Sequence, residues 1–208
     1  MSSPATTTEA PVTLTEAPDV AERSRIDLGA AERAAADLMR ALGMDVADPS
    51  LARTPARVAH AYADLLTPRE FTMTTFPNHE EYDELVVVSN IAFTSICEHH
   101  LLPFTGSASV GYLPGHRILG LSKLARVVEL FARRPQVQER MTKQIADWLD
   151  DHLEPRGTGV VVTAEHSCMT LRGARATGSF TTTSAHTGLI RTDQRTRSEF
   201  LALANKDN

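Results

Sequence analysis

The chain has little of what builds disulfide frameworks or membrane spans. Of its 208 residues only two are cysteine and one is tryptophan, and aromatics make up 5%. No apolar run approaches the roughly 20 residues of a membrane-spanning helix. The N-terminus lacks the basic and apolar regions of a secretory signal. Nor is there an excess of positive charge: the formal net charge is -5, which argues against a general nucleic-acid binder and leaves room only for a local basic patch. The expectation is a soluble cytoplasmic protein that binds neither membrane nor nucleic acid. In that compartment two cysteines are free or metal-bound more often than paired in a disulfide.

What is present is a globular composition, enough for one domain of ordinary size with an appended segment. Residues 1–24 are rich in Thr, Ala, Pro and Glu without apolar periodicity, and read as a disordered tail. Residues 25–84 read as an N-terminal helical segment. Asp27 is a candidate N-cap and Gly43 a stop. A second helix is expected from Thr54-Pro55, with the Thr54 hydroxyl as cap and proline at the first helical position. Residues 85–208 have a different texture. Strands are expected over 85–93, 106–113, 159–166 and 178–185. Between them lie two helices, one with Leu121, Leu124, Val128 and Phe131 at helical spacing, the other running from Pro135 to Leu153. Strands paired around two helices predict an α+β fold, an antiparallel sheet with helices on one face.

The two cysteines each stand beside histidine, in Cys97-Glu98-His99-His100 and His166-Ser167-Cys168. Two thiolates and up to three imidazoles are a ligand set that Zn²⁺ prefers. Cys97 and His100 are spaced to come from one turn, and Cys168 would close a triad from a distant strand end. Three ligands and an open position would make the metal catalytic; a fourth ligand, His99 or His166, would make it structural. The spare histidines are either proton carriers at neutral pH or polar support around the metal. Ser122, Lys123 and Arg126 open one expected helix and Arg133 and Arg134 close it, which suits an anionic ligand, although on these residues alone a solvated basic face is the favoured reading. Arg172 follows Cys168 closely, so its charge should lie near the metal. In Gln138-Glu139, the carboxylate can accept two parallel hydrogen bonds, as from the N1–H and 2-amino group of guanine, although a glutamate on a helix is usually just a surface residue.

Five ordered stretches resemble the GTP cyclohydrolase I family. Ser95-Ile96-Cys97-Glu98-His99-His100-Leu101-Leu102-Pro103-Phe104 is similar to its zinc motif. Glu165-His166-Ser167-Cys168-Met169 with Arg172-Gly173 is similar to its second. Gly120-Leu121-Ser122-Lys123-Leu124-Ala125-Arg126 and Arg134-Pro135-Gln136-Val137-Gln138-Glu139-Arg140 resemble its helix motifs, and Thr54-Pro55-Ala56-Arg57-Val58-Ala59 its N-terminal helix. The likeness runs from about Asp27 to the C-terminus. His60, Phe180 and His186 depart from the family wording, which bears on triphosphate affinity and the later ring-closing steps.

The resemblance implies the tunnelling fold: a four-stranded antiparallel sheet with two long helices on one face, preceded by N-terminal helices. Sheets from several subunits would join into a barrel, and two pentamers would stack into a decamer with active sites between subunits. It implies conversion of GTP and water to 7,8-dihydroneopterin triphosphate and formate, an early step toward tetrahydrofolate, other pterins or deazapurines. By the family pattern Cys97, His100 and Cys168 hold Zn²⁺. His99 and His166 move protons, and Ser122 belongs to the catalytic set. Ser122, Lys123, Arg126 and Arg172 hold the triphosphate, Gln138 and Glu139 grip guanine, and Glu98 completes the substrate contacts. Arg57 is a further phosphate contact from a neighbouring subunit. The competing readings are a paralogue that stops at a ring-opened intermediate, a non-catalytic assembly protein with structural zinc, and a nitrile reductase of the same fold.

Overall fold

In the computed structural model of the chain, the described residues are Thr13–Leu14 and residues 26–205. The rest of the expected tail lies outside them. The chain divides into two compact units, Glu16–Pro68 and the remainder. No helix among the described residues is long and apolar enough to cross a membrane.

The smaller unit is a pair of helices, α1 (Leu28–Ala41) and α2 (Thr54–Leu66). Asp27 caps α1 as its sequence suggests, its carboxylate accepting from the backbone N–H of Ala30 at 2.8 Å. Beyond the helix Gly43 adopts φ +81°, a conformation that costs glycine little. The start of α2 differs from expectation. Arg53 occupies the cap, no side chain bonds there, and Thr54 is already helical. The reason is the preceding turn: the Thr54 N–H is donated to Leu51 O at 2.8 Å, so the chain enters α2 already coiled.

The larger unit is α+β. Its main sheet has the order β6-β3-β4-β7-β8, with β3 (Val86–Cys97), β4 (Pro103–Leu113), β6 (Pro135–Gln136), β7 (Gly157–His166) and β8 (Thr181–His186). The four longer strands run antiparallel, and the two-residue β6 joins β3 in parallel. A second small sheet joins β1 (Thr13–Leu14), β2 (Met73–Pro77) and β5 (Arg117–Leu119). Between β3 and β4 the register slips by one residue after Val88, where Asn90 takes φ +60°. Such a bulge re-aims the side chains that follow, here those leading to Cys97.

One face of the sheet is covered by α3 (Leu121–Ala132) and α4 (Gln138–Leu153). Directly opposed residues point to the same face. The opposed pairs Ala108–Val162 and Val110–Val160 are wholly buried, as are Leu124, Met141, Ile145 and Leu149 from the two helices. That is the helical spacing read from the sequence, except that Leu121, at the first turn, stays exposed.

The other face is not bare, contrary to the expectation of helices on one side. α6 (Gly188–Thr192) and α7 (Gln194–Ala204) pack there, with Phe200, Ile190 and Ala204 against Val161. Gly111 and Gly159 make room for the Phe200 ring. Ser109 fastens the helix end, its hydroxyl donating to Ala204 O at 2.8 Å.

Candidate active site

The β3–β4 hairpin carries the first cluster. Its loop is a tight turn, closed by the Cys97 N–H bonding to Leu102 O at 2.9 Å and the Leu101 N–H bonding to Cys97 O at 2.8 Å, with Leu101 at φ +53°. β6 pins the turn from outside, Gln136 O accepting from the Glu98 N–H at 3.0 Å. The second cluster follows β7: His166 ends the strand, and Cys168 lies in the short α5 (Ser167–Thr170). Because Phe104 and His166 are opposed in the β4–β7 register, the sheet itself brings the two clusters together.

Cys97, His100 and Cys168 place their ligand atoms within 4.8 Å of one another. The two sulfurs are 3.9 Å apart, and the Cys97 sulfur is 3.6 Å from His100 Nδ1. A tetrahedral Zn²⁺ with ordinary bond lengths needs about 3.8 Å between two sulfurs and about 3.6 Å between sulfur and nitrogen. Both separations therefore match that ion, and the sulfurs stand far beyond the ~2.05 Å of a disulfide. Cys97 is buried, Cys168 half-buried and His100 exposed, so the triad opens toward solvent on the histidine side. Burial first, and the neighbouring Cys97 sulfur next, push the Cys168 thiol above its ordinary pKa, while Arg172 pulls it down. A bound cation would reverse the upward push, since it favours the thiolate.

The other two histidines differ in setting. His99 is exposed, with Nε2 3.7 Å from a Glu98 carboxylate oxygen and its ring edge-on to His100. Glu98 is in turn paired with Arg140 of α4. His166 is half-buried and lies flat on Phe104, the ring centroids 4.5 Å apart and the planes 4° from parallel. Burial lowers its pKa, and the negative charge of Glu139 works against that shift. Glu139 itself is exposed in the first turn of α4.

Gln138, expected to face guanine with Glu139, is 1% exposed. Its amide is engaged on every side by the protein. The nitrogen reaches Val162 O, Thr181 O and Thr183 Oγ1, and the oxygen meets His166 Nε2. No donor of that side chain is left for a base.

Ser122 and Arg126 line a separate open cavity of about 510 Å³, together with Arg69, Glu129, Arg133 and the Ile91–Thr94 stretch of β3. Glu129 organises its basic wall. Arg69 donates to both of its carboxylate oxygens through Nε and Nη2, and Arg126 Nη1 stands 3.3 Å from the same group. These cations hold the Glu129 carboxyl below its ordinary pKa. Lys123 is half-buried in the first turn of α3, and Arg172 is exposed beyond α5; neither lines this cavity. Arg57 is exposed on α2, in the other unit.

Arg69, Glu129 and Arg140 had no role in the reading of the sequence. Arg140 lies inside a quoted motif, and its charge opposite Glu98 was the available signal. Arg69 lies in an unpatterned loop, and nothing local betrays it.

Comparison with known proteins comes down on one side. A family model described as GTP cyclohydrolase I matches residues 31–205. GTP cyclohydrolase 1 of Rhodopirellula baltica is 47% identical over 191 residues, 89% of this chain and 82% of that protein. GTP cyclohydrolase 1 of Mycolicibacterium paratuberculosis is 51% identical over 195 residues, 90% of this chain and 95% of that protein. The enzyme of the same name from Aquifex aeolicus is 48% identical over 165 residues, 79% of this chain and 90% of its own.

Proposed function

This chain belongs to the GTP cyclohydrolase I family, and from that premise we propose how its residues serve the activity. It is a GTP cyclohydrolase I enzyme, hydrolysing GTP to 7,8-dihydroneopterin triphosphate and formate. The observation that carries the assignment to a site is the meeting of Cys97, His100 and Cys168 beside His99 and His166.

Cys97, His100 and Cys168 hold a Zn²⁺. When bound, that ion supplies Lewis acidity that makes water nucleophilic near neutral pH. His99 and His166 then have the proton work: ring opening at carbon 8, release of formate and rearrangement of the ribose each move a proton, and imidazole gives and takes near pH 7. Glu98, tied to Arg140, steadies the loop that carries His99. The Glu139 carboxylate accepts from the N1–H and 2-amino group of guanine, a contact that an adenine base would not match. Ser122, Arg126 and Lys123 at the head of α3, with Arg172, receive the triphosphate. The Glu129–Arg69–Arg126 cluster supports that reading, because it keeps guanidinium groups on a wall next to β3, the strand that ends in Cys97.

The finer architecture follows the family: a tunnelling fold whose sheets join between subunits into a barrel, a decamer of two pentamers, and Arg57 reaching the triphosphate from a neighbouring subunit. Among the described residues β8 ends the sheet without a further partner strand, which supports this, since an unpaired strand edge invites a partner strand. The deciding experiment is incubation of the zinc-loaded protein with GTP, with formate and the pterin chromophore measured separately. Equal yields are expected. Formate without chromophore would mean an enzyme that stops at the ring-opened stage, and neither product would overturn the proposal.

A further inference from the structure

Gln138 and His166 share one hydrogen bond, and the direction of that bond follows from the atoms around it. The Gln138 nitrogen lies 3.0 Å from Val162 O, 2.9 Å from Thr181 O and 3.2 Å from Thr183 Oγ1. Two of those partners are carbonyl oxygens, which only accept. An amide turned the other way would set its own oxygen against both carbonyls, losing two bonds in a site that is 1% exposed. The amide nitrogen therefore faces the strands, and its oxygen faces His166 Nε2 at 2.8 Å.

The surrounding hydroxyls agree. Thr142 Oγ1 spends its proton on Gln138 O at 2.8 Å, so across the 2.6 Å contact between the two threonines Thr183 must be the donor. Thr183 then has lone pairs to accept from the Gln138 amide. Each threonine proton thus has one place to go, while the two amide N–H bonds are shared among three acceptors.

An amide oxygen cannot donate, so His166 Nε2 must carry hydrogen. We infer that Gln138 is a positioning residue that locks neutral His166 as the Nε2–H tautomer, with Nδ1 as its bare nitrogen. The ring's stacking on Phe104 fixes its plane, so the direction of the Nδ1 lone pair is set as well.

This rests on the reading of His166 as a proton carrier, and the experiment separates the two. The zinc-loaded protein, labelled with ¹⁵N-histidine, is examined by solid-state NMR at a pH where His166 is neutral, with its signals assigned by their loss in His166→Ala. Nε2 should appear as the protonated nitrogen and Nδ1 as the bare one; the opposite pattern overturns the inference. Gln138→Leu removes the acceptor at similar volume. It should mix the tautomers and lower kcat about tenfold or more, with KM for GTP and zinc content unchanged. A raised KM with intact kcat would make Gln138 a substrate contact instead, and an unchanged tautomer with unchanged kcat would also overturn the role. Should the variant not fold, the unmodified protein's tautomer still decides. If that tautomer is as stated but His166→Ala turns over GTP like the parent, the proton-carrier reading fails while the lock stands.

Discussion

The sulfur of Cys168 stands 3.9 Å from the sulfur of Cys97, across 71 residues of sequence. Neither thiol sits in a structure that could close on itself; the approach is made by β4 pairing with both β3 and β7. Replacing one sulfur should therefore empty the site without unravelling the sheet. Cys168→Ser is expected to lose most of its zinc on dialysis, because a charged, soft ligand is exchanged for a neutral hydroxyl. Far-ultraviolet circular dichroism should change little. Full zinc occupancy in this variant would remove Cys168 from the ligand set.

His99→Ala and His166→Ala are expected to keep their zinc and to lose turnover by about 10²-fold or more, the scale of losing a general acid or base. Metal analysis beside formate release tests this. A variant that comes off the column without metal would show its histidine to be a ligand, and the open position would have to be found elsewhere.

Glu139→Gln turns one acceptor into a donor that faces the 2-amino group of guanine. The loss of a charged hydrogen bond should weaken GTP recognition by about 1.5–3 kcal/mol, roughly ten- to a hundredfold in kcat/KM. Steady-state kinetics with GTP on the zinc-replete variant reads this directly. Parent-like kinetics would take guanine recognition away from Glu139.

The α3 helix offers a test in acid. Glu129 is held below its ordinary pKa of 4.5, first by the hydrogen bond from Arg69 and against the effect of burial. A carboxyl whose pKa is lower in the folded chain stabilises the fold above its unfolded value, and that contribution vanishes as the pH falls through the folded value. Parent and Glu129→Gln should thus differ in Tm by a constant amount near neutrality. The gap should close on acidification below the ordinary carboxylate range. It will be small, since Arg69 is solvent-exposed. A gap that persists in strong acid would assign the effect to packing.

On the opposite face, a Cβ at Gly159 would fall 2.7 Å from atoms of the buried Phe200 ring. Gly159→Ala should cost about 1–3 kcal/mol by overpacking. Adding Phe200→Leu should return part of that loss, so the two changes are less than additive in urea unfolding. An unchanged midpoint for the single variant would mean that α7 does not press on the sheet there.

The parts of this molecule that could be read from sequence are those whose neighbours in space are also neighbours in sequence, or whose chemistry is rare. Two cysteines beside histidines are conspicuous in a chain with no others, and α3 and α4 announce themselves by spacing. Phe200 and α7 do not. Only Phe200 and Ala204 of that helix are buried, and the matching recess is made of two strand glycines, which read alone as weak strand positions. Gln138 is harder still. At a helix start it reads as a surface residue or a ligand contact, and nothing short of the β7–β8 pairing places two carbonyls and an imidazole around it. The Thr54 cap failed for a local reason, a turn from Asp48 to Leu51 that runs straight into the helix.

The division of the metal triad between hairpin and distant strand also sets an order of events. Cys97 and His100 come together as soon as β3 and β4 pair, a local step that a chain emerging N-terminus first can complete early. Cys168 joins only after α3 and α4 have been made and β7 has crossed back to dock on β4. A newly made chain thus passes through a stage that offers a metal two donors but not three. A metal captured at that stage would be held by two donors only, and so more loosely. Docking of β7 would supply the third donor, so on the proposed ligand set metal retention would report that the sheet has closed.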